Sequence, residues 1–139
     1  MPADEGEVSD VDYARLLAFR DGLRRFLHWS EEEAKAVDLT APQHQLLLAI
    51  RGHDAAPSIG EVTAHLLLRH HSVVELVDRA VSAGLVERVT DDADHRVVRL
   101  HLTSLGDEKL RALSAAHLEE LSRLRPQFES LWRRLPDTP

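Results

Sequence analysis

The stretch LVDRAVSAGLVERVTDDADHRVVRLHLTSLG, residues 76–106, decides the fold, because the apolar period changes inside it. Leading into it, Val73, Leu76, Val77 and Ala80 recur at steps of three and four, which predicts the buried face of a helix from about His71 to Ala83. Gly84 follows, where a left-handed cap residue belongs. From Leu85 the period drops to two. Leu85–Val89 alternates weakly, and Val98, Leu100 and Leu102 alternate with Val97, Arg99 and His101. Between these runs lies the polar connection Thr90-Asp-Asp-Ala-Asp-His-Arg96, so the segment reads as a β-hairpin with a long charged tip. The connection contains no Gly, which argues against a tight two-residue turn. Thr103 caps the next helix, with Asp107 and Glu108 near its positive end.

Upstream, Ser58-Ile-Gly-Glu61 is a capping box that opens a short helix running to about Leu67. Thr40-Ala-Pro-Gln43 is another: Thr40 caps, Pro42 sits in the first turn, and Leu46, Leu47 and Ile50 face inward until Gly52 ends the helix. Residues 11–37 form a first helix whose stripe is Leu16, Phe19, Leu23, Phe26 and Leu27, either covering its own core or meeting a partner. Downstream, Leu110, Leu113, His117, Leu121 and Leu124 line one long helix. Pro126 is expected to start a separate last helix with Phe128, Leu131, Trp132 and Leu135 on one face. Residues 1–10 are polar and acidic without periodicity, an expected disordered tail. Helix, short helix, helix and hairpin, in that order, make a winged helix-turn-helix. In such folds the third helix lies in the major groove and the hairpin reaches the backbone or the minor groove.

Composition narrows the alternatives. The 139 residues suit one domain, and no apolar run exceeds the five residues Leu46–Ile50, against the roughly 20 of a membrane helix. The polar N-terminus is no signal peptide, so the expected location is cytoplasmic. The chain has no cysteine, which excludes disulfides, thiolate catalysis and sulfur-ligated metals. Its nine His include no His-x3-His pair and no His-Glu-x-x-His motif, so no metal and no cofactor are expected. A Gly-rich phosphate loop and a nucleophile motif are also missing, and Asp91-Asp92 and Glu31-Glu32-Glu33 read as solvated acids; the chain is not read as an enzyme. The net charge of −7 argues against binding nucleic acid by bulk charge. The acidity is uneven: residues 58–105 carry only −2 of it and hold five of the nine His.

Four motifs in order go beyond pattern. Leu76-Val-Asp-Arg79, Gly84-Leu-Val-Glu-Arg88, Asp94-His-Arg96 and Leu102-Thr-Ser-Leu-Gly106 resemble the MarR family of bacterial transcriptional regulators, with Leu39-Thr40, Gln43, Leu46 and Leu47 similar too. The resemblance spans roughly residues 39–124. It implies a mainly α fold with a small β-hairpin wing, a winged helix-turn-helix lobe over 39–103, and dimerisation helices over 11–38 and 104–139. It further implies a homodimeric repressor of double-stranded DNA with a roughly palindromic site, released by a small anionic or aromatic effector. The competing reading is a winged-helix protein-interaction module that does not bind DNA.

Arg69 in the turn and His70, His71 and Ser72 at the helix start can donate to phosphate or to base acceptors. Glu75, where the family often has a basic residue, either accepts from a cytosine amine or stays in solvent or a salt bridge. Arg79 also points outward by helical geometry. In the wing, the resemblance implies that Asp94 holds Arg96 for a phosphate or minor-groove contact, with His95 where the family commonly has another Arg. The alternative for Asp94 and Arg96 is a hairpin ion pair. The family also usually has Gly soon after the short helix, whereas this chain reads Leu66-Leu67-Leu68-Arg69. His28, His44 and His117 are the candidates for an effector site.

Overall fold

The computed structural model describes residues 6–133 and 135. Five helices and one hairpin follow in the order α1 Asp10–Ala36, α2 Ala41–Arg51, α3 Ile59–Leu66, α4 His70–Ser82, β1 Val86–Thr90, β2 Val98–Leu102 and α5 Ser104–Arg133. The chain divides into two compact units, residues 31–116 and residues 1–30 with 117–139; α1 and α5 contribute to both. Of the expected tail, residues 1–5 lie outside the described residues, and α1 already begins at Asp10. No helix among the described residues is long and apolar enough to cross a membrane.

Local chemistry sets the elements of the 31–116 unit. The Thr40 hydroxyl accepts from the Gln43 amide at 3.2 Å while the Gln43 side chain accepts from the Thr40 amide at 3.0 Å, a complete capping box. The Ser58 hydroxyl accepts from the Glu61 amide at 3.2 Å and starts α3. After α4, Gly84 adopts φ +75°, its amide bonds the Val81 carbonyl, and the Leu85 amide bonds the Ala80 carbonyl at 2.9 Å. That pair of bonds is a Schellman ending, and it satisfies carbonyls that the helix itself leaves free.

The core comes from every element of this unit. Leu46, Leu47 and Ile50 from α2, Val62 from α3, and Val73, Leu76, Val77 and Ala80 from α4 are buried with Leu85, Val86, Leu100, Leu110 and Leu113. β1 and β2 are antiparallel, in a register that pairs Val86 with Leu102 and Thr90 with Val98. Beyond the hairpin, the Leu100 amide donates to the Pro57 carbonyl at 2.8 Å, which fastens β2 to the segment before α3. Thr103 donates to the Gly84 carbonyl and accepts from the Gly106 amide. A Cβ at position 106 would lie 2.1 Å from the Leu85 carbonyl oxygen, so only Gly allows α5 to start this close to the end of α4.

One expectation is corrected. Pro126 does not begin a new helix; α5 runs through it to Arg133. An interior Pro costs a backbone hydrogen bond and crowds the preceding turn, about 3 kcal/mol. Here the following turns are held by Phe128 and Trp132, which meet Phe19 edge to face at centroid distances of 6.3 and 5.5 Å, and by the Arg125–Glu129 pair. The run before α4 also behaves differently from its sequence: with no Gly available, Leu67 itself takes the left-handed conformation at φ 55° and is 90% exposed.

Candidate nucleic-acid interface

The inward set of α4 leaves one face for other uses. Arg69 is the N-cap, without a side-chain capping bond, and His70 and His71 occupy the first turn. Arg69, His70, His71, Glu75 and Arg79 are exposed and Ser72 is half-buried. The structure therefore brings all six α4-side candidates onto one helix and the turn before it. Among the described residues none of Arg69, His70, His71, Glu75 and Arg79 takes part in an ion pair, so their polar groups face solvent. Asp78, on the same helix, pairs with Arg88 of β1 and so ties α4 to the hairpin.

At the hairpin tip, Asp94 accepts from Arg96 Nε at 3.0 Å and from Nη2 at 3.1 Å, and Oδ1 also takes the Arg96 amide at 3.1 Å. The side chain of Arg96 is nevertheless 89% exposed, so the clamp fixes its direction without hiding the guanidinium. The Arg96 guanidinium and amide hold the Asp94 carboxyl below its ordinary value, and Asp94 in turn raises Arg96. Both groups therefore stay charged at neutral pH. His95 stands exposed between them.

The acid run Asp91-Asp92 needs correcting. Asp91 is not merely solvated: its carboxylate accepts from the Ala93 amide at 2.8 Å and from Arg99 Nε at 3.1 Å, and these bonds hold it below the ordinary carboxylate value. Arg99 also donates to Glu61 Oε1 at 3.0 Å and to the Ala56 carbonyl at 3.4 Å. Glu61 is shared further with His53, whose Nε2 lies 3.0 Å from Oε2. Burial pushes the Glu61 carboxyl up, but the Ser58 amide, His53 and Arg99 together leave it below its ordinary value. Nothing in the local sequence marked Arg99, because two of its three partners, Glu61 and Ala56, lie 38 and 43 residues away.

Of the effector candidates, His28 and His117 belong to one unit and His44 to the other. His28 is exposed, and His44 is 8% exposed in the other unit. His117 lies 2.6 Å from the Ser30 hydroxyl, with its ring 4.8 Å from Trp29 and 5.9 Å from Phe26. His53 and His65 stack edge to face at 5.6 Å over a cleft of about 330 Å³, but no group of three potential metal ligands occurs among the described residues.

Residues 37–97 match the model of the MarR family. The chain is 38% identical over 73 residues to the uncharacterised HTH-type transcriptional regulator YsmB of Bacillus subtilis; the match takes in 52% of this chain and 48% of that protein, so the chain spans about half of its length. The fold is that of AbsC, a MarR family transcriptional regulator from Streptomyces coelicolor (TM-score 0.72, 17% identity, 93% of this chain and 99% of that one). It is also that of a mutant of MepR from S. aureus bound to an oligodeoxyribonucleotide (TM-score 0.63, 19% identity, 94% and 87%).

Proposed function

We propose that this chain, a member of the MarR family, is a homodimeric DNA-binding transcription regulator, most simply a repressor released by a small effector in the cytoplasm. One observation carries the reading: the outward face of α4, with Arg69, His70, His71, Ser72, Glu75 and Arg79 free of ion pairs, lies in the same unit as a wing whose Arg96 is aimed by Asp94. Arg69, His70 and His71 suit phosphates, Ser72, Glu75 and Arg79 suit base edges, and the planar fork of Arg96 suits the minor groove or the backbone. The MepR mutant of the same fold is itself bound to an oligodeoxyribonucleotide. The action proposed is binding rather than catalysis.

The assignment of residues 39–103 to reading DNA and of 11–38 and 104–139 to association rests on where apolar surface is left uncovered. Tyr13, Leu16, Leu17, Leu27, Leu118 and Leu121 are all exposed on the terminal segments. Apolar surface in that quantity is normally an interface. A second copy would place two α4 helices in successive major grooves, about 34 Å apart. The effector is proposed to be small and anionic or aromatic, with His117 among Trp29 and Phe26 the first place to look.

The protein-interaction alternative draws on the net charge of −7 and on Glu75, a carboxylate on the reading face. Duplexes selected by the purified protein from random fragments, then titrated by fluorescence polarisation at several salt concentrations, separate the two. DNA reading predicts affinity that falls steeply with salt as counterions are released. A flat salt response, or no selected duplex, would leave the interaction module standing.

A further inference from the structure

We propose that Arg99 is the positioning residue of the wing: by spanning Asp91 and Glu61 it fixes the direction in which Arg96 is presented, an inference that rests on the DNA-binding reading above. A two-stranded hairpin alone is marginally stable and free to swing. This one is followed from strand to tip by an unbroken set of hydrogen bonds. Arg99 Nη1 is held by Glu61 of α3 and by the Ala56 carbonyl, while Nε holds Asp91 at the first position of the tip. Asp91 then organises the tip: its carboxylate takes the Ala93 amide, and its own amide donates to the Val97 carbonyl at 2.9 Å. The Val97 amide returns to the Asp94 carbonyl at 2.9 Å, and the Asp94 carboxylate clamps Arg96.

The geometry asks for arginine specifically. One planar fork reaches two carboxylates on different elements through different nitrogens, which a single ammonium cannot do. The Arg99 side chain is 32% exposed, so it is withdrawn from the surface on which Arg96 stands out. Glu61 is itself steadied by His53, whose Nδ1 lies 2.9 Å from the Ala55 carbonyl. A carbonyl and a carboxylate both only accept, so both ring nitrogens donate, and the ring is fixed on the α3 side of the tie.

The test uses the full chain and a duplex selected by the wild type, with Arg99→Leu, Arg99→Lys, Arg96→Ala and the Arg99→Leu/Arg96→Ala double variant. Arg99→Leu is expected to weaken binding about tenfold, the scale of one well-placed contact. Arg99→Lys should recover only a part of that. The double variant should bind no worse than the weaker single variant, because Arg99 acts through Arg96. Amide exchange at Ala93, Arg96 and Val97 should quicken in Arg99→Leu while amides of α4 keep their protection. Should Arg99→Leu fail to fold, Glu61→Gln keeps the side-chain shape, removes one charge from the tie and is expected to act in the same direction with a smaller loss.

If the wild type binds and Arg99→Leu binds equally well, or if the two single losses multiply in the double variant, the positioning role is overturned and the DNA reading survives. If the wild type binds no selected duplex, the DNA reading falls and takes this inference with it.

Discussion

Residues 31–116 and the two terminal segments spend their apolar side chains in opposite ways. In the 31–116 unit, Leu46, Leu47, Val62, Val73, Val77 and Leu100 are wholly enclosed. In the unit of residues 1–30 and 117–139, no described large apolar side chain is buried, while Tyr13, Leu17, Leu27, Leu118 and Trp132 stand more than half exposed. The first unit encloses a core of its own, although Leu48, Leu67 and Leu68 stay exposed. The second has the helices but not the cover, and at roughly 25 cal/mol per Å² of apolar area that cover matters. One sequence therefore carries a lobe with a core of its own and terminal helical segments with uncovered apolar faces, which the proposed function takes to be a DNA-reading lobe and the surface for a second copy.

The contrast breaks most visibly if the terminal helices are made polar. Leu17→Glu with Leu121→Glu should convert a dimer into a monomer by light scattering. DNA affinity should fall by about 10²–10⁴, because two linked half-sites become one. Amide protection across α2, α3 and α4 should stay as it was. Loss of protection there would show that the lobe is not self-sufficient, and a monomeric wild type would remove the dimer altogether.

The opposite probe acts inside the lobe. Leu46→Ala opens a cavity in the core that also holds Leu47, Val62 and Val77, and should cost about 2–5 kcal/mol in denaturant unfolding. The same change at Leu118, which is 67% exposed, should cost the lobe nothing measurable and be read only in association. Equal losses from both would erase the distinction between the two units.

What could be read from the sequence follows the same division. The lobe's elements were legible because their causes are local: the Thr40–Gln43 box, the Val73, Leu76, Val77 and Ala80 face, Gly84 with positive φ, and the two-residue period around Leu100. Gly106 was legible as part of a motif, although its reason, the Leu85 carbonyl in its path, is tertiary. The Arg99 tie was not legible, since three elements must first fold to bring Ala56, Glu61 and Asp91 to one guanidinium. Pro126 misled because local propensity favours a helix start, whereas contacts with Phe19 carry α5 through it. The outward face of α4 could be listed residue by residue, but not the pairing that removes Asp78 from it through Arg88.

A smaller effect is expected at Leu67, the point in the lobe where local rules lose. A left-handed conformation costs a non-glycine residue about 1–2 kcal/mol. Its side chain is almost wholly in solvent and offsets little of that. Leu67→Gly should therefore stabilise the lobe by about 0.5–1 kcal/mol, less than the full strain because Gly gains freedom in the unfolded chain. A thermal midpoint that falls instead would mean that Leu67 has a contact partner, and that the exposed apolar surface of this protein is not confined to the terminal helices in its purpose.

The smallest effect, and the sharpest on the wing itself, comes from acid. Asp91, Asp94 and Glu61 all have carboxyls below their ordinary values in the folded chain. A carboxylate depressed by folding contributes stability that is present above its unfolded value and is lost as pH falls through the folded one. The wing should therefore keep its order at neutral and mildly acidic pH and loosen only below the ordinary carboxylate range, where Asp91 releases Arg99 and Asp94 releases Arg96. Amide exchange at Ala93 and Arg96, corrected for the intrinsic rate at each pH, reads this directly. Asp91→Asn should bring the loosening to neutral pH while leaving the Leu46 and Val77 core protected. A wing that keeps its order well below the ordinary carboxylate range would show that the carboxylate tie is secondary.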